Sequence, residues 1–143
     1  MRELFTEITI NASSDRVWEV LTDFDSYPEW NPFVKRIRGS IQVGNRLGSK
    51  MYASNLKPMS FKPRVIKVVP RREFRWLGSL GVPGLFDGEH IFELHPSEPK
   101  KVHFIQREVF KGLLVPMIMK NIREDTRAGF EQMNQALKQR CES

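Results

Sequence analysis

A chain of 143 residues, 40% hydrophobic and 28% charged, fits one domain, large enough to bury roughly 70% of its unfolded surface and so to hold a core or a lined cavity. Its one cysteine, Cys141, excludes an internal disulfide and a cysteine-built zinc site, and His90, His95 and His103 show no metal-ligand spacing. The formal charge of +6 is spread in twos and threes (Lys35, Arg36, Arg38; Arg71, Arg72, Arg75; Lys100, Lys101) with no nucleic-acid motif, so it reads as a solvated basic face rather than a nucleic-acid surface.

In chain order, Leu4, Thr6, Ile8 and Ile10 alternate with Phe5, Glu7 and Thr9, the period of a half-buried strand over Leu4 to Ile10. Ser13 or Ser14 then offers a hydroxyl to the free amides of a helix with Asp15 in its first turn and Val17, Leu21 and Phe24 along one face. The knot Tyr27-Pro28-Glu29-Trp30-Asn31-Pro32-Phe33 follows. Each proline pushes the residue before it out of the helical region, so Tyr27 and Asn31 are expected to be extended or turn residues and the segment a corner. Six strands come next: Phe33 to Arg38, Asn45 to Ser54, Ser60 to Val69, Glu73 to Leu80, Phe86 to His95 and Lys101 to Lys111, separated by glycine- and proline-rich turns at hairpin spacing. From Leu113 to Lys138 the period changes. Ile118, Ile122, Phe130, Met133 and Leu137 recur at three- and four-residue steps, as on one long amphipathic helix, with Pro116 tolerable in its first turn and Gly129 either a close approach of the helix to the sheet or a tolerated defect. The longest apolar runs, such as Leu113 to Met119, are too short to span a bilayer, no apolar leader is read ahead of the first strand, and the expected home is the cytoplasm.

The Trp18 to Phe33 corner, Asp87-Gly88-Glu89-His90-Ile91-Phe92-Glu93-Leu94, the run from Phe104 through Gln106, Glu108 and Gly112 to Pro116, and the closing Gly129 to Lys138 segment together resemble the START-type, or SRPBCC, superfamily of polyketide cyclases/dehydrases and lipid-transport proteins. The resemblance covers nearly the whole chain. It implies an α+β helix-grip fold in which a curved, seven-stranded antiparallel sheet, with two short helices after strand one, wraps a long C-terminal helix around a cavity. Residues 1–143 are then expected to form a single domain of this type.

Alternation puts Phe86, Gly88, His90, Phe92 and Leu94 on one strand face and Val102, Phe104, Gln106, Glu108 and Phe110 on one face of the next. With Trp30, Phe33, Met51, Phe74, Trp76, Met117 and Met133 these supply the candidate ligand-binding set, Phe86, His90, Phe92, Phe104, Gln106 and Glu108 included. On periodicity alone a plain core is the simpler reading of the same residues; the resemblance favours a cavity. A buried carboxylate or imidazole needs a partner, so His90, Gln106 and Glu108 are expected to orient a ligand's polar group or to hydrogen-bond structurally, and His90 and Glu108 are the weak candidates for proton transfer. No glycine-rich loop opens a helix and no serine sits in a nucleophile elbow. The partner that the resemblance implies is a lipid, isoprenoid or polyketide-like molecule, with no cofactor or metal and no integral membrane contact expected, though transient contact with an anionic membrane surface fits the charge. A cyclase- or dehydratase-type enzyme and a protein-interaction module are the alternatives.

Overall fold

A computed structural model describes residues 2–53 and 55–143. The elements run β1 (Arg2–Ile10), α1 (Ser14–Thr22), a 3-10 turn (Phe24–Ser26), α2 (Tyr27–Trp30), β2 (Val34–Arg38), β3 (Gly48–Met51), β4 (Met59–Phe61), β5 (Arg64–Val69), β6 (Glu73–Ser79), β7 (Asp87–Glu98), β8 (Lys101–Lys111) and α3 (Val115–Glu142). Antiparallel strands form a five-stranded sheet in the order β1-β8-β7-β6-β5 and a three-stranded sheet in the order β2-β3-β4.

Ser13 starts α1 by accepting a hydrogen bond from the Arg16 amide at 3.1 Å, and Val17, Val20 and Leu21 are the buried stripe. The corner departs from expectation at Tyr27, which is helical (φ −54°, ψ −40°) and begins α2. Pro28 lies in the first turn of that helix, where a missing amide costs nothing, and this outweighs the usual pre-proline bias. Asn31 is extended as expected, and its buried side-chain Oδ1 accepts from the amides of Phe33 (2.9 Å) and Val34 (2.8 Å). This turn aims Phe33 inward and launches β2.

The seven expected strands become eight in two sheets. Pro63 divides the predicted Ser60 to Val69 run into β4 and β5, since a proline has no amide to offer the ladder, and the two halves join different sheets. The predicted Asn45 to Ser54 strand shortens to β3, with Arg46 bridged singly to Arg64; its last residue, Ser54, lies outside the described residues. The helix predicted from Leu113 to Lys138 is α3, starting at Val115 with Pro116 in its first turn.

Two regions of α3 do different things. Phe130, Met133, Leu137 and Cys141 are buried against the main core with Leu4, Ile10, Leu21, Phe92 and Phe104. In the first half Val115 and Met119 are buried, Ile118 and Ile122 are only partly buried, and Met117, like Leu113 just before the helix, is exposed. No helix among the described residues is long and apolar enough to cross a membrane.

Candidate functional site

Between the first half of α3, the β2-β3-β4 sheet and one end of the β6-β7-β8 hairpins lies a cavity of about 180 Å³. Its walls are Phe33, Met51, Met59, Phe61, Trp76, Leu80, Phe86, Phe110, Ile118 and Ile122, with Lys57, Ser79, Glu108 and Thr126 as polar groups. The fold makes this space in two ways. The Pro63 break separates the small sheet from the large one, and the α3 residues facing it are short of the aromatic bulk found further along the helix at Phe130.

Of the sequence candidates, Phe33, Met51, Trp76, Phe86 and Glu108 line this cavity. Phe74, Phe92, Phe104 and Met133 are fully buried, the first three as a run of aromatic rings whose centroids lie 4.6 Å (Phe74–Phe92) and 6.2 Å (Phe92–Phe104) apart. Met117 is 60% exposed on α3, outside the cavity lining. Trp30 borders a separate, more polar depression of about 320 Å³ with Arg16, Asp23 and Arg140. Its indole Nε1 has no hydrogen-bond partner among the described residues. The cavity wall also contains residues outside the candidate set, among them Met59, Phe61, Leu80 and Phe110. Ile118 and Ile122 were legible as a helix stripe, but nothing in periodicity says that the stripe faces open space there.

His90 and Glu108 are directly opposed across β7 and β8, and His90 is 1% exposed. The imidazole is boxed by Trp76, Phe92 and Phe130, with centroids at 5.1, 4.6 and 4.9 Å. A buried hydrogen-bond chain fixes its orientation. It is anchored on two main-chain carbonyls, which can only accept. The Thr6 hydroxyl donates to the Gln106 carbonyl (2.7 Å) and accepts from Asn134 Nδ2 (2.9 Å). Asn134 Oδ1 therefore accepts from Gln106 Nε2 (2.7 Å), which also donates to the Phe130 carbonyl (3.3 Å). Gln106 is thereby turned so that its Oε1 meets His90 Nε2 at 2.9 Å, and that nitrogen carries the proton. The other nitrogen, Nδ1, is buried without a hydrogen-bond partner among the described residues, and Glu108 Oε1 lies 3.5 Å from it. Thr6 and Asn134 were not among the candidates; the one available signal was a polar Asn134 within the apolar stripe Phe130, Met133, Leu137.

Glu108 connects this chain to the cavity. Its side chain is 17% exposed and sits over Gly88, where any Cβ would collide with the carboxylate Oε2. Glycine at this strand position is thus a condition for Glu108 to lie where it does. Its neighbours in the wall, Trp76, Phe86 and Phe110, are apolar, so the carboxylate is the acidic group of an otherwise greasy chamber.

Antiparallel strands closed on a long C-terminal helix, with a lined cavity between, are the helix-grip architecture. The chain belongs to the polyketide cyclase / dehydrase and lipid transport family, whose profile matches residues 1–142. Solved structures share the fold over almost their whole lengths. An aromatase/cyclase from a Streptomyces species is 13% identical, with 99% of this chain and 93% of that one covered at a TM-score of 0.78. A START superfamily protein from Mycobacterium smegmatis is 20% identical, covering 98% and 97% at 0.72, and a point mutant of norcoclaurine synthase from Thalictrum flavum, in complex with a transition-state analogue, is 16% identical, covering 98% and 93% at 0.73. No curated protein matches the sequence.

Proposed function

We propose that the protein binds a hydrophobic or amphipathic small molecule, of lipid, isoprenoid or polyketide-like character, in the cavity between α3 and the two sheets. The observation that carries this reading is the chamber itself: about 180 Å³ beside the packed core, walled by aromatic, methionine and isoleucine side chains. Pockets for such ligands are largely apolar with a few placed polar groups, and Glu108, Ser79, Thr126 and Lys57 are such a set. The family supports the same class of function, and the one cysteine suits a reducing cytoplasm as its setting.

The pairing of His90 with Glu108 supports a second reading, an enzyme of cyclase or dehydratase type. A carboxylate at the cavity wall backed by an oriented imidazole can receive a proton from a bound molecule and return it. On that reading His90→Gln and Glu108→Gln each lower turnover by roughly a hundredfold while apolar binding persists.

The test of binding is titration with a neutral fluorescent probe, N-phenyl-1-naphthylamine, together with native mass spectrometry for a co-purified apolar compound. Wild type is expected to enhance the probe's emission saturably. Ile122→Lys, which sets a cation against the cavity from a partly buried helix position, should weaken binding roughly tenfold or more at little cost in stability. Probe affinity indifferent to Ile122→Lys, or no saturable binding to wild type, would end the carrier and enzyme readings together.

A further inference from the structure

Resting on the cavity being a ligand site, we propose that Glu108, facing His90, anchors a neutral hydroxyl group, so that the preferred ligand is an apolar alcohol or phenol rather than a carboxylic acid or a bare hydrocarbon. The argument follows from which atoms can donate. The anchored chain through Thr6, Asn134 and Gln106 obliges His90 Nε2 to carry a proton. In a neutral imidazole Nδ1 is then a lone pair facing an acceptor, the Glu108 carboxylate 3.5 Å away. The contact is attractive only when one proton is held between them, as imidazolium with carboxylate or as imidazole with carboxylic acid.

Either arrangement is neutral overall, and among the described residues no other ion pair engages Glu108. Lys57 is the other charged side chain in the cavity lining, and aromatic rings surround His90. A ligand ammonium would bring an unbalanced charge to a neutral pair in apolar surroundings. A ligand carboxylate would likewise bring an unbalanced charge to that neutral pair and set its oxygens against Glu108 Oε2, acceptor against acceptor. A hydroxyl can donate to the other Glu108 oxygen, Oε2, which is an acceptor in both placements of the proton. A hydrocarbon gains no polar contact at all.

The test uses a matched series against the purified protein by calorimetry near neutral pH: 2-naphthol, its methyl ether 2-methoxynaphthalene, naphthalene and 2-naphthoate. In wild type, 2-naphthol should bind roughly tenfold more tightly than the ether, which keeps the oxygen but has no proton to give, and than the naphthoate. Glu108→Met should bring 2-naphthol and the ether to within about twofold of each other while the ether still binds. Gly88→Ala, which displaces the carboxylate without removing it, should shrink the preference in the same direction. Equal affinity of 2-naphthol and the ether in wild type, a naphthoate as tight as 2-naphthol, or a preference that survives Glu108→Met would overturn the proposal. The wild-type comparison needs no variant to fold. Hydrocarbon and ether binding without hydroxyl preference would remove this inference alone, whereas failure of all four ligands would remove the binding reading with it.

Discussion

At the scale of single residues, Gly129 and Cys141 show how tightly α3 is seated. An alanine Cβ at Gly129 would stand 2.5 Å from Phe33 Cδ1, and that ring is 3% exposed and packed edge-on against Phe130 at 5.5 Å. Helix propensity favours alanine by about 1 kcal/mol, but overpacking a core costs about 1–3, so Gly129→Ala should be net destabilising by roughly 1 kcal/mol. Because Phe33 also lines the cavity, probe affinity should fall as well. Phe33→Leu in the same chain should recover part of the stability; a Gly129→Ala protein that melts above wild type would show that the ring yields freely. Cys141 is 6% exposed, and burial pushes its thiol up to about 12, with Arg16 opposing and Glu142 adding to the effect. The folded thiol stays protonated where an unfolded one ionises, near pH 8.5. Its contribution to stability is therefore complete below that pH and is lost as pH rises toward the folded value. Alkylation by iodoacetamide in mildly alkaline buffer should be slower in the native protein than in urea by roughly a hundredfold or more.

At the scale of elements, β7 and β8 divide their labour between two faces. The outer face carries ion pairs across strands, Arg107 to Glu93 (2.8 Å) and Glu3 (2.9 Å) and Arg75 to Glu89 (2.9 Å), with Arg75 also paired to Glu73 within β6. Burial alone would raise the Glu93 carboxyl, but hydrogen bonds from Arg107 and His95 outweigh it and hold the group below the ordinary carboxylate value. A carboxylate lowered in the folded state stabilises above its unfolded value, about 4.3, and that support disappears as pH falls through the lowered value. Arg107→Met should cost under about 1 kcal/mol near neutrality and flatten the fall in melting temperature between roughly pH 6 and pH 3. A variant with the wild-type acid profile would show that Glu93 draws its stabilisation elsewhere. The inner face was legible from alternation alone, which placed His90, Gln106 and Glu108 on the same side as Phe92 and Phe104. The division along the strands was not. Period two says which side a residue faces and says nothing of whether a helix lies against it, so Phe86 and Glu108, at the cavity, look in sequence like Phe92 and Phe104, under α3. The β4-β5 break was missed for a related reason: a proline within a strand-like run is compatible with an edge strand, and only tertiary pairing shows that Pro63 divides two sheets.

At the scale of the whole molecule, the same helix closes the core at one end and roofs the cavity at the other, so local stability should differ along its length. Residues 130–142 are held by Phe130, Met133, Leu137 and Cys141 against both sheet and α1, and by Asn134 through the buried polar chain. Residues 117–126 have a single fully buried side chain, Met119, beside the partly buried Ile118 and Ile122 over open space, and β3 and β4 on the far wall are strands of 4 and 3 residues in a sheet of their own. Segments with few packed apolar contacts open at lower free energy than the global transition. Native-state hydrogen exchange should therefore show amides of 117–126 and of the strands 48–51 and 59–61 exchanging roughly tenfold or more faster than those of 130–142 in the unliganded protein. An apolar ligand binds only the closed cavity, so saturating N-phenyl-1-naphthylamine should slow these wall segments by the factor that its occupancy sets, and 130–142 by a similar factor, because global unfolding releases the ligand too. Uniform protection along α3 without ligand would mean that the roof is as rigid as the core, and protection gained only in 130–142 would place the ligand outside the cavity. Slowing of the two cavity walls as large as that of 130–142 would instead tie the weakest part of the fold to binding: the space that costs the molecule local stability is the space the ligand fills.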